Sequence, residues 1–134
     1  MSQVSPPGLP RAVAAVAARY KNVQVTTCSP GQLVLLLLEG AIRFAVEADA
    51  AIVARDRGRA GERISRCHAV IEELAAGLDM TDTTGLCENL MGVYGFAMRR
   101  LLAANLAQDR EILAEVPKVL RPIRDGWAEL LGKP

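Results

Sequence analysis

The sequence has little of the material that most recognition chemistry uses. Only 4% of its 134 residues are aromatic, it contains a single histidine, and its formal net charge is +1. Scarce aromatic side chains argue against recognition of stacked nucleic-acid bases. A charge near zero gives no field that attracts nucleic acid or an anionic membrane. We therefore expect a chain without a nucleic-acid partner.

Cysteine is also scarce, and its three positions, Cys28, Cys67 and Cys87, are far apart in the sequence. No two of them have metal-ligand spacing, and an odd number is a poor basis for a disulfide framework. The first residues lack the basic start and long apolar region of a signal peptide. A reducing cytoplasm is therefore the expected compartment, and we expect no metal or cofactor.

Long apolar runs are absent as well, with one partial exception. The segment Leu33 to Leu38 is apolar without interruption, but it ends at Glu39 and Gly40. A membrane-spanning helix needs about 20 apolar residues, so this segment is too short to insert into a membrane. Six consecutive apolar side chains are unfavourable in water. The segment must therefore be covered by protein, either its own or that of a partner.

Helical periodicity dominates the remainder of the chain. Ser29, Pro30 and Gln32 form a capping box with proline at the first helical position, and apolar residues then recur at spacings of three and four. We expect an all-α, antiparallel four-helix bundle occupying 29–134 as a single domain. The preceding residues, 1–28, contain three prolines near their start and predict a flexible arm with a short helix.

The fourth helical segment contains two prolines, Pro117 and Pro122. A proline inside a helix removes one backbone hydrogen bond and clashes with the preceding turn, at a cost of about 3 kcal/mol or more. Apolar residues nevertheless keep helical spacing through this segment as far as Trp127 and Leu130. We therefore expect a bend or a break between Leu113 and Pro122, with Trp127 still docked on the bundle.

The first bundle helix carries more apolar surface than one contact requires. On a helical projection one apolar side faces the expected core, and a second lies about half a turn away, while Glu39, Arg43 and Glu47 share a polar side on which they can pair. The second side is either internal core or a groove for an apolar helix from another protein. The candidate partner-binding residues on it are Leu35, Leu38, Ile42 and Val46.

Several stretches, in order, resemble the family of flagellar secretion chaperones called FliS. They are "RYKNVQVTTCSPGQLVLLLLEGAIRFA", with its Tyr20-Lys21 pair, its Ser29-Pro30 helix start and its acid-Gly-Ala step at Glu39; "YGFAMRRLLAANLAQDREILAEV"; and "RDGWAEL". The resemblance covers nearly the whole chain. The sequence departs from the family in having Leu38 where a tyrosine is common, and in its two fourth-helix prolines.

The resemblance implies a cytosolic chaperone that binds the disordered C-terminal segment of flagellin, prevents premature polymerisation and assists flagellar type III secretion. Flagellin is thus the expected partner, and components of the export apparatus or a second copy of the chain are further candidates. Tyr20 would anchor either the N-terminal arm or the bound client, with its ring in a pocket and its hydroxyl in water.

Two other classes of protein remain open. A bundle that only dimerises would also need an apolar face. A histidine phosphotransfer domain would need an exposed helical histidine, and His68 is the one histidine, although Glu72 and Glu73 follow it and would repel a phosphoryl group. An enzyme is not expected: a single histidine cannot supply a di-metal bundle site, and Cys87 has no histidine near it in sequence for nucleophilic catalysis.

Overall fold

The computed structural model describes residues 30–132, and these residues form four helices. They are α1 (Pro30–Val53), α2 (Arg57–Ala76), α3 (Leu86–Ala107) and α4 (Arg110–Gly132). No strand occurs within 30–132, so the expected all-α class is confirmed. The expected arm, 1–28, lies outside the described residues, and so does the expected cap Ser29. The division into arm and bundle therefore stays a prediction.

Short connections make successive helices antiparallel neighbours. Helix α1 packs against α2 and α4, and α3 packs against the same two helices. The four helices therefore form a ring in which α1 and α3 occupy opposite corners. This is the up-down-up-down arrangement expected when a few residues join each pair of helices.

The core combines small residues on α1 with large residues from the other helices. Ala41, Ala45 and Ala48 are at most 1% exposed, which allows the neighbouring helices to approach α1 closely. The largest side chains that are fully buried are mainly aliphatic and come from all four helices: Leu38, Ile64, Ile71, Leu74, Leu101, Leu113 and Leu120. Each contributes roughly 1.5–3 kcal/mol through removal of apolar surface from water.

Aspartates cap two of the helices. Asp56 accepts a hydrogen bond from the backbone N–H of Arg59 at the start of α2, at 3.0 Å. Asp109 accepts from the backbone N–H groups of Glu111 and Ile112 at 2.8 and 3.2 Å. An aspartate directly before a helical segment is a cap that the sequence alone favours, and Asp109 has that role for α4. These caps satisfy amides that have no partner within their helix.

The expected break in the fourth helix is absent. Helix α4 runs without interruption from Arg110 to Gly132 and contains both Pro117 and Pro122, so the predicted break is wrong, whereas a bend between Leu113 and Pro122 stays a prediction. The helix buries Leu113, Val116, Leu120 and Trp127 along one side, and this burial outweighs the two lost backbone hydrogen bonds. The docking of Trp127 is confirmed, because its Nε1–H donates to the carbonyl oxygen of Gly31 at 2.9 Å.

The cost of the prolines predicts that one substitution stabilises the protein. Pro122 is exposed, so Pro122→Ala restores a backbone N–H without leaving a cavity. Urea denaturation should show a gain of about 2 kcal/mol, since the helical cost of proline is about 3 kcal/mol and its stiffening of the unfolded chain offsets up to about 1 kcal/mol.

Pro117→Ala is the comparison variant for this experiment. Pro117 is buried, so its truncation also leaves a small cavity and its gain should be smaller. A loss of stability in Pro122→Ala would show that α4 accommodates this proline without cost.

Candidate functional site

The structure divides the four described residues of the expected partner-binding face. Leu38 is 1% exposed and Ile42 is 7% exposed, so both belong to the core. Leu35 is half-buried against that core, whereas Val46 is 48% exposed. Because α1 packs between two neighbours, it buries a wider arc than a helix with one neighbour. The fifth candidate, Tyr20, lies outside the described residues.

The outer side of α1 nonetheless keeps a row of exposed apolar residues. Leu36, Val46 and Val53 are 49%, 48% and 57% exposed. Arg43 lies between the first two and approaches the carboxylate of Glu47, with Nε and Oε2 4.0 Å apart. The expected pairing is therefore confirmed for Arg43 with Glu47. The apolar row consequently lies beside a strip of charge.

Val46 also lines a groove between α1 and α4. The groove has a volume of about 420 Å³. We call its five apolar lining residues the floor, which includes two alanines and a proline, and its four charged lining residues the rim. The lining residues are Ala45, Val46, Asp49, Arg110, Glu111, Leu113, Ala114, Pro117 and Arg121. Small floor residues leave room for the side chains of an apolar helix, which is the usual way in which such grooves bind a helical segment.

One end of the groove is closed by an ion pair between its two helices. The guanidinium of Arg110 donates to Asp49 through Nε at 2.8 Å and through Nη2 at 3.1 Å. This hydrogen bonding and the nearby carboxylate charge raise the pKa of Arg110. Both side chains are substantially exposed, so the pair fixes the geometry of this end more than it stabilises the fold.

A second hollow lies on the other side of α1, against α2. It is bordered by Phe44, Glu62, Ser65, Arg66, Ala69 and Val70. The charged residues at its border are already paired, because Arg66 Nε lies 2.8 Å from Glu62 Oε2. The Phe44 ring lies beneath two guanidinium groups, those of Arg43 and Arg63, at 5.3 and 5.8 Å. Charged side chains therefore border this hollow, as they border the α1–α4 groove.

The described cysteines are buried and unreactive. The Cys67 thiol donates to the carbonyl oxygen of Ala41 at 3.2 Å, and burial raises its pKa to about 12. Burial also raises the pKa of Cys87. Because the thiolate is the reactive form, neither thiol suits nucleophilic chemistry. Within residues 30–132 no cluster of histidine, cysteine and acidic side chains could hold a metal ion.

His68 does not have the surroundings of a phosphotransfer histidine. It lies within α2 and is half-buried, and its Nδ1 is 3.4 Å from Glu72 Oε1. A phosphoryl group on Nδ1 would therefore meet a carboxylate that repels it. In the part of the chain that is described, no helix has the length and apolar character needed to cross a membrane.

Sequence reasoning missed the contribution of α4 to the groove. Arg110, Ala114, Pro117 and Arg121 recur at spacings of four, three and four, which places them on one side of a helix. That signal was available in the sequence. It had no interpretation until the structure showed that α4 packs beside α1.

The fold therefore defines the class as an all-α four-helix bundle with a groove between α1 and α4. The family model of the flagellar protein FliS matches residues 12–134, and the chain therefore belongs to the FliS family.

Three relatives are each named flagellar secretion chaperone FliS. The Salmonella typhimurium protein is 34% identical over 110 residues, covering 81% of this chain and 82% of its own. The Escherichia coli protein is 33% identical over 111 residues, with 82% of each chain covered. The Bacillus subtilis protein is 30% identical over 112 residues, covering 84% and 83%. The expected family resemblance is thus confirmed.

The division of α1 into core and groove predicts opposite results for two aspartate substitutions. Leu38→Asp places a carboxylate in the core and should lower the free energy of unfolding by more than about 3 kcal/mol or prevent folding. Val46→Asp adds the same group at a half-exposed position and should change that free energy by less than about 1 kcal/mol. Urea denaturation measures both. A well-folded Leu38→Asp protein would show that Leu38 lies on a partner-binding surface instead.

Proposed function

We propose that this chain is a cytoplasmic export chaperone that binds the C-terminal segment of flagellin and assists its flagellar type III secretion. The observation that carries the proposal is the apolar groove between α1 and α4, with Val46 at its edge. The names of the relatives support the role of a flagellar secretion chaperone. The client and its binding site are the parts that we add.

The physical case rests on masking. A segment that assembles into a filament must expose apolar side chains, and these would associate in the cell unless another surface covered them. A disordered client loses conformational entropy when it becomes helical on binding, so it needs an extended apolar contact. The α1–α4 groove and the exposed row of Leu36, Val46 and Val53 together provide such a contact.

The N-terminal arm enters this proposal as a displaceable cover. Residues 1–20 would shield the apolar row of α1 while no client is bound, with Tyr20 as the anchor of either the arm or the client. The client would then displace the arm and bury a larger apolar area. Of the four described candidates, Val46 is the one whose exposure suits direct contact with the client, and half-buried Leu35 would join it after a small rearrangement.

Calorimetric titration with a peptide of the flagellin C-terminal segment tests the binding proposal. Val46→Asp should weaken binding at least tenfold, because burying the exposed half of a valine contributes about 1 kcal/mol and the carboxylate must also lose water. Met80→Asp is the matched control, since Met80 is 56% exposed in the connection between α2 and α3, away from the groove and from helix α3. Its affinity should not change. If the unsubstituted protein and both variants bind the peptide with equal affinity, the client binds outside the α1–α4 groove.

A second candidate function is self-association, and a specific feature of α3 favours it. Leu102 and Leu106 are 59% and 85% exposed and lie one turn apart, so they form a small apolar patch that a second copy could cover. Light scattering of the free protein and of its mixture with the flagellin peptide separates the two functions. A dimer that does not bind the peptide would favour self-association over the chaperone function.

A further inference from the structure

The two ends of the α1–α4 groove carry opposite charge. Helix α4 lines the groove from Arg110 and Glu111 at one end to Arg121 at the other. Ten residues separate Glu111 from Arg121, which corresponds to about 15 Å along an α-helix. The groove therefore spans nearly three turns of a bound helix. Such a helix would place one of its ends near each of these charges.

The end at Glu111 is negative. Arg110 is neutralised by its two hydrogen bonds to Asp49, so its charge is not available to a ligand. Glu111 is exposed, and none of the ion pairs among residues 30–132 includes it. The carboxyl end of α1 and the amino end of α4 meet here, and their partial charges of opposite sign offset each other. The net charge at this end of the groove is therefore that of the Glu111 carboxylate.

The end at Arg121 is positive. Arg121 is exposed, and no carboxylate of the described residues approaches it within ion-pair distance, 4.0 Å. Lys118, three residues earlier in α4, is also exposed and adds charge of the same sign. Asp125 does not neutralise this end, because it pairs with Arg124.

We propose that these charges fix the direction in which a helical segment of the client binds. This inference rests on the proposed function, in which the client is the C-terminal segment of flagellin. An α-helix carries about half a positive charge at its amino end and half a negative charge at its carboxyl end. The bound helix therefore places its amino end at Glu111 and its carboxyl end at Arg121, parallel to α4 and antiparallel to α1.

The same charges select the composition of the bound segment. Acidic side chains near its carboxyl end gain an ion-pair partner in Arg121, and basic side chains near its amino end gain one in Glu111. In the reversed orientation each helix end would meet a charge of its own sign. The apolar floor alone does not distinguish the two directions, so the rim decides between them.

Photo-crosslinking measures the direction. Two versions of the flagellin C-terminal peptide carry a diazirine near the first or the last turn of the helix, with both termini blocked to remove terminal charge. Trypsin separates the two ends of α4, because it cleaves after Arg110, Lys118 and Arg124, and Pro122 protects the bond after Arg121. We expect the amino-end label on the fragment 111–118 and the carboxyl-end label on 119–124.

A charge exchange provides the decisive variant. The double substitution Glu111→Arg and Arg121→Glu keeps the net charge and should exchange the two crosslinking patterns. Arg121→Glu alone should weaken binding about three- to tenfold at low salt, with the difference shrinking as salt screens the charges. Arg121→Lys should bind normally. Arg99→Glu is the control, because it makes the same charge change on an exposed residue of α3, across the bundle from the groove.

Each outcome decides a different point. If the peptide binds with the opposite direction, or with both labels on both fragments, the inference about direction is wrong and the proposed function stands. If crosslinks appear outside the α1–α4 groove, the charges at its rim do not orient the client and the inference is again wrong. If the peptide does not bind at all by calorimetry, the proposed function fails, and the inference fails with it.

Discussion

The close approach of α1 to its neighbours is the contact on which the rest of the structure depends. Ala41, Ala45 and Ala48 are almost completely buried, and the Cys67 thiol of α2 reaches the backbone carbonyl of Ala41. Small residues allow this approach on the α2 side. On the α4 side Ala45 faces Ala114 and Pro117 across the groove. The same small side chains that permit close packing therefore leave a hollow at the outer edge of the interface.

Ion pairs between helices cluster at one half of the bundle. Glu47 of α1 contacts Arg63 of α2 at 3.3 Å, Arg100 of α3 contacts Glu115 of α4 at 3.0 Å, and Asp49 contacts Arg110. All lie where α1 ends and α4 begins. The Nε atom of Arg100 is buried without a hydrogen-bond partner, which costs stability, whereas the Nε atom of Arg63 lies 2.8 Å from Glu62 Oε1. These pairs therefore fix which helices are neighbours more than they stabilise the fold.

The function that we propose follows from an excess of apolar surface next to an organised rim. An apolar row on α1 would be a liability in a protein that had no partner. Here that row continues into a groove whose two ends carry opposite charge, so in the function that we propose one surface would supply both affinity and direction. Membership of the FliS family accounts for the class of protein, whereas the rim charges are properties of this chain's own residues.

The sequence by itself determined the helices, the cap at Asp109, the docking of Trp127 and the family. These features depend on local periodicity, on capping chemistry and on motifs that can be read along the chain. Only the tertiary structure decided the fate of the second apolar side of α1. Whether Leu38 is core or surface depends on how many helices flank it, and a helical projection of α1 does not contain that information.

Local sequence reasoning was also insufficient for the two prolines of α4. Local chemistry predicts a bend or a break between Leu113 and Pro122, but α4 stays continuous because burial along its length outweighs two lost hydrogen bonds. The groove, likewise, consists of residues about 70 positions apart in the chain, such as Val46 and Pro117. Local sequence determines which apolar and charged surfaces each helix has. The packing of helices that are distant in the chain decides which of those surfaces remain exposed.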